Sequence, residues 1–122
     1  MKLHLTQAAG KQLITGYSKD WISINNLVYE ENIIVLPEKL ILNWAVSDFD
    51  SLNEENFECL MIYKPEVVLL GTGSTHRFIH PHLIKALTLA NIPLECMTTD
   101  AACRTFNILM AEGRNVAAAL IL

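Results

Sequence analysis

Residues 66–78, EVVLLGTGSTHRF, decide the fold. Val67 to Leu70 is a short, unbroken apolar run. A half-exposed strand would alternate, so this pattern predicts a strand buried on both faces. Gly71, Thr72 and Gly73 follow at once, and Pro81 then opens a segment with helical spacing, HPHLIKALTLAN. Strand, glycine loop and helix in that order make the first half of a parallel crossover.

Downstream the pattern repeats. Residues 92–97, IPLECM, read as a second short strand, and 98–113, TTDAACRTFNILMAEG, as a helix capped by Thr99 or Asp100. Gly113 stands just past its end. Residues 115–122, NVAAALIL, close the series as a strand whose small side chains permit close packing of a helix. Crossovers of this type are right-handed, which makes the strands starting near Val67 and Leu94 parallel neighbours.

Upstream the character differs. Residues 13–46 hold short β-rich runs, with Asn25-Asn26 as a hairpin turn and Pro37 ending the run Ile33–Leu36. We expect a meander of three to five strands, the last spanning Leu40 to Val46. Next, Leu52, Phe57, Leu60 and Met61 share a helical face, with Ser51 or Asn53 as N-cap. The predicted architecture is an α/β three-layer domain around a central mixed sheet: N-terminal antiparallel strands, then βαβαβ. Its 122 residues form one domain, with residues 1–12 weakly patterned and loosely held.

Composition narrows the function. Apolar residues are 52% and the formal charge is −4, which disfavours a nucleic-acid binder. Cys59, Cys96 and Cys103 show no C-x-x-C spacing, so neither a disulfide framework nor a zinc knuckle is expected. The N-terminal stretch lacks the apolar core of a signal peptide, and no run approaches the roughly 18 apolar residues of a membrane span. A cytoplasmic protein is the expectation.

The glycine loop is the candidate site. Ligands of open α/β sheets collect at the carboxyl ends of parallel strands, where loop amides are free to meet an anion. Gly71, Thr72 and Gly73, with His76 and Arg77, would form one side of a rim. Thr98, Thr99, Asp100 and Arg104 would form the other. A dinucleotide fingerprint needs glycine where His76 stands, and no Gly-Lys-Ser/Thr occurs, so no nucleotide or other cofactor is expected. His76, His80 and His82 fall short of a convergent metal set, because Pro81 breaks their helical placement.

Two functions fit this rim. In the first, a non-enzymatic binding module takes a protein partner or a small anion there. The high apolar content supplies surface for that partner or for a second copy. In the second, Cys103 near a helix N-terminus is a thiol nucleophile, His76 its base and Gly73 an oxyanion donor.

VVLLGTG at 67–73 and ECMTTDAACRTFNILMAEGRNVAAALIL at 95–122 together resemble a family of small domains of unknown function. That family includes stand-alone archaeal and bacterial proteins and the mitochondrial NADH:ubiquinone oxidoreductase complex assembly factor 3. The resemblance covers about residues 13–122. Its signature falls on Thr99, Ala101, Ala102, Arg104, Thr105, Asn107, Glu112, Gly113 and Arg114. Phe106 stands where relatives often carry tyrosine. The resemblance implies a three-layer fold with a mixed sheet, no established catalytic residue, and a role in holding a partner rather than in chemistry.

Overall fold

The computed structural model describes residues 10–122. Residues 1–9, most of the stretch expected to be loosely held, lie outside the described residues. Lys11 and Gln12 are held: Lys11 pairs with Glu38 at 2.6 Å, and the Gln12 amide donates to the Pro37 carbonyl at 2.8 Å.

Eight strands form two sheets. β1 (Ile14–Tyr17), β2 (Ile22–Ile24) and β3 (Leu27–Tyr29) make an antiparallel three-stranded sheet. β4 (Ile33–Leu36), β5 (Lys39–Ile41), β6 (Val67–Thr72), β7 (Leu94–Met97) and β8 (Val116–Ile121) make the central one, in the order β5-β4-β8-β6-β7. β6 is parallel to both β7 and β8, whereas β4 is antiparallel to β5 and β8. The mixed sheet and the parallel pairing of residues near 67 and 94 are as predicted.

The five upstream strands do not form one meander. The chain leaves the first sheet after β3 and enters the second at β4. The β2–β3 turn is the expected one: Asn25 and Asn26 both have positive φ, 51° and 69°, which matches a turn of the twist that hairpins prefer. The segment 42–46, expected as strand, is not one. Trp44 and Val46 are nonetheless buried, and the Trp44 indole donates to the Asn56 carbonyl at 3.0 Å.

Side-chain alternation along the central strands builds two cores. Ile33, Val35, Val67, Leu69, Val116, Ala118 and Leu120 face one way. They meet Ala102, Cys103, Phe106 and Met110 of α3 (Thr99–Ala111), and Ile14, Ile22 and Ile24 of the small sheet. Ile34, Leu36, Val68, Leu70, Ala117, Ala119 and Ile121 face the other way. Their cover includes Trp44, Phe57, Leu60 and Leu87. Phe57 belongs to α1 (Glu54–Glu58) and Leu87 to α2 (Lys85–Leu89). The three layers are therefore small sheet plus α3, central sheet, and short helices.

The helix expected to carry Leu52, Phe57, Leu60 and Met61 is reduced to α1, flanked by 3-10 turns at Phe49–Ser51 and Met61–Tyr63. Asn53 caps α1 in a reciprocal capping box with Asn56. Pro81 begins a 3-10 turn that runs into α2. α3 starts one residue earlier than a Thr99 cap would place it, with Thr98 at the cap position, and Gly113 follows its end at φ +82°.

Candidate functional site

Helices α2 and α3 pack on opposite faces of the sheet, so the loops after β6 and β7 leave in opposite directions. Such a divergence is where open α/β sheets form a ligand crevice. Here it is stitched shut. The Gly73 amide donates to Thr99 Oγ1 at 2.8 Å, and the Thr99 amide donates to the Gly73 carbonyl at 2.9 Å. Thr99 Oγ1 in turn donates to the Ile121 carbonyl at 2.5 Å. One buried hydroxyl thus ties the ends of β6, α3 and β8 together.

The two chain crossings do deliver Gly73 and Thr99 to one edge, as predicted, but several residues there serve structure. Gly71 is buried, and a Cβ on it would stand 2.9 Å from Thr99 Oγ1 and 3.0 Å from Thr99 Cα. Its glycine admits the helix, not a ligand. Thr72 is buried too, its hydroxyl within reach of the Thr75 and Met97 carbonyls and accepting from the Arg77 amide. The Gly73 amide, at φ +95°, is taken by Thr99 and is not an oxyanion donor.

Arg77 turns away to pair with Asp50 at 2.7 Å, its guanidinium 4.1 Å above the Phe49 ring. His76 is exposed and packs on Phe78. His80 Nδ1 accepts from the His82 amide, and His82 sits 3.3 Å from Glu54.

Cys103 is 1% exposed, inside the core between α3 and the sheet. Burial, with a smaller push from the Asp100 charge, raises its thiol to about 12. Cys103 is a packed thiol, and the alternative reading of it as a low-pKa nucleophile loses its support, because Cys103 lies on the buried side of α3 while Arg104 is exposed.

A cleft of about 260 Å³ does open beside the stitched rim. Its walls are Gly73, Ser74, Thr99, Asp100 and Leu122 on one side, and Tyr17, Ser18 and Lys19 from the β1–β2 turn on the other. Arg104 closes its margin: Nη1 donates to the Tyr17 hydroxyl at 2.9 Å and lies 3.3 Å from Asp100 Oδ2. The Asp100 carboxyl is held below the usual aspartate range, first by the Thr98 hydroxyl and then by Arg104 and the Ala101 amide.

Of the residues expected at the rim, Gly73, Thr99 and Asp100 line the cleft, and Thr98 and Arg104 bond to Asp100. Gly71, Thr72, His76 and Arg77 do not line the cleft. Tyr17, Ser18, Lys19, Ser74 and Leu122 are the additions. The sequence marks the first four only weakly, as the polar turn YSKD between two β-rich runs and as a serine after the second glycine.

The bovine NADH dehydrogenase [ubiquinone] 1 alpha subcomplex assembly factor 3 is 33% identical over 110 residues, 88% of this chain. This chain spans 59% of that protein's length. The 13 kDa major membrane protein of Francisella tularensis is 29% identical over 90 residues, covering 72% of this chain and 73% of that one. A crystal structure of a Bordetella parapertussis protein superposes with a TM-score of 0.86 at 32% identity, covering 92% of this chain and 96% of that one. Among the described residues no helix is long and apolar enough to cross a membrane. Residues 14–121 match the family described as "Protein of unknown function (DUF498/DUF598)", and the chain belongs to that family.

Proposed function

We propose that this chain is a non-enzymatic, assembly-factor-like docking module that acts in the cytoplasm. It holds a protein partner at the cleft between the β1–β2 turn and the stitched rim. One observation carries the reading. The Tyr17 side chain is 40% exposed at the cleft, while its hydroxyl is fixed by Arg104, itself held by Asp100. An aromatic ring immobilised before binding loses little freedom on contact, and such anchors carry much of the energy of protein interfaces. The job for which the bovine relative is named, assembly of an NADH dehydrogenase, is of the same kind.

Quantitative affinity capture with four forms of the chain tests this. Tyr17→Ala and Ser74→Arg should lose partners that the unsubstituted chain retains, while a Lys85→Gln control, at an exposed position outside the cleft, keeps them. NADH dehydrogenase subunits among the lost proteins would identify the partner class. Equal capture by all four forms would remove the cleft from the proposal.

A narrower reading places a small anion in the same cleft. Lys19 lines it and forms no ion pair among the described residues. Inorganic phosphate should then raise the unfolding temperature of the unsubstituted chain and not that of Lys19→Ala. Arg77 has no part in this version, since its partner is Asp50.

A further inference from the structure

A second cleft, of about 380 Å³, lies at the other end of the central sheet. It is framed by the β4–β5 turn, by Tyr63, and by the turn from α3 into β8 at Gly113–Asn115. Leu36, Pro37, Tyr63 and Met110 give it apolar walls. Its charged residues are Lys11, Lys39, Arg114 and Glu38, three cations against one carboxylate in a chain of formal charge −4.

Internal pairing leaves part of that positive charge unanswered. Lys11 is matched by Glu38 at 2.6 Å. Arg114 meets Glu66 through Nε alone, at 3.3 Å, so its terminal nitrogens keep their donors. Lys39 forms no ion pair among the described residues; its ammonium stands 5.5 Å from the centre of the Tyr63 ring. An aromatic face attracts a cation but leaves its outward N–H donors free for an anion.

We propose that this cleft binds a small organic carboxylate carrying an apolar body. Lys39 and Arg114 take the carboxylate by charge-assisted hydrogen bonds. Leu36, Pro37 and Met110 cover the body. An inorganic anion would leave the apolar walls wet, and a neutral apolar molecule would leave the ammonium unpaired. The site is independent of the docking cleft, because it lies at the opposite ends of β6 and β8.

The test is a titration of the isotope-labelled full chain, followed by amide NMR. 4-Phenylbutyrate should give saturable shifts at Leu36, Lys39, Tyr63, Gly113 and Asn115. 4-Phenylbutyramide, with the same body and no charge, should bind about tenfold more weakly, the loss expected for one charge-assisted contact. Lys39→Gln, which changes an exposed side chain, should keep the native spectrum and lose a similar factor for the carboxylate alone. The proposal is overturned if the amide binds as well as the acid, if inorganic phosphate gives the same shifts at the same concentration, or if Lys39→Gln binds like the unsubstituted chain. Shifts confined to Gly73, Ser74 and Thr99, or no saturable shift at all, would overturn it equally.

Discussion

Asn107 holds Ile14 by both of its backbone polar groups. Its Oδ1 accepts from the Ile14 amide at 3.0 Å, and its Nδ2 donates to the Ile14 carbonyl at 2.8 Å. The side chain acts as a short strand beside β1, and it joins α3 to the small sheet across 93 residues of sequence. Asn107→Ala leaves a donor and an acceptor without partners in a half-buried position. The expected cost is about 2 kcal/mol, read as a lower urea midpoint at unchanged slope. Asn107→Asp keeps the acceptor and loses the donor, so it should lie between the two or below the alanine variant if the carboxylate repels the Ile14 carbonyl. A midpoint for Asn107→Ala equal to that of the unsubstituted chain would show that the clamp contributes nothing.

Gly71 should be intolerant of alanine. The added methyl would meet Thr99 Oγ1 at 2.9 Å, Thr99 Cα at 3.0 Å and Leu120 Cδ2 at 3.1 Å. Two of those three atoms belong to the residue that ties β6 to β8. Overpacking of this kind costs about 1–3 kcal/mol. Gly10→Ala, where nothing lies within 4 Å but φ is +83°, measures backbone strain alone and serves as the comparison.

The three thiols should separate on alkylation at neutral pH. Cys59 is exposed and should react first; Cys103 should react only once the chain unfolds. Stability should follow the same thiol. A folded value near 12 against an ordinary 9.0 means the native state keeps its proton where the unfolded state has lost it. The contribution is complete below about pH 9 and is lost progressively as pH rises toward 12. Cys103→Ala should remove that alkaline slope; an unchanged slope would assign it to other groups.

Asp100 makes a prediction about causes. The Thr98 hydroxyl, 2.5 Å from Oδ1, is the largest contributor to its lowered value, ahead of Arg104. NMR titration of the carboxyl should therefore show a larger rise in Thr98→Ala than in Arg104→Ala. The sign of the linkage is the usual one for a lowered acid: its stabilisation is present above the unfolded value and fades as pH falls through the folded one. The reverse order of the two variants would make the ion pair the main cause.

What the sequence made legible was local. The buried run Val67–Leu70, the Asn25-Asn26 turn, and the last helix with its threonine cap and closing Gly113 each carry their own pattern or turn chemistry. The rim was legible to the same extent, since two parallel neighbours bring their following loops to one edge. What no local pattern contains is a partner far along the chain. The split of the upstream strands into two sheets depends on β8 pairing with β4, with Ile34 opposite Ala119. The loss of Arg77 from the site depends on Asp50, 27 residues earlier. The closing of the crevice depends on which way one threonine hydroxyl points. Thr98 and Thr99 are identical in sequence, yet one reaches Asp100 and the other Ile121.

The place of β8 between β4 and β6 has a consequence for synthesis. Both flanking strands leave the ribosome tens of residues ahead of the one that must slot between them. Until residues 116–121 emerge, β4 and β6 each present an apolar edge with unsatisfied amides to the surrounding cell. The nascent chain is thus most prone to self-association until β8 emerges, and ribosome-stalled chains ending before residue 116 should recruit chaperones that chains displaying residues 116–121 do not.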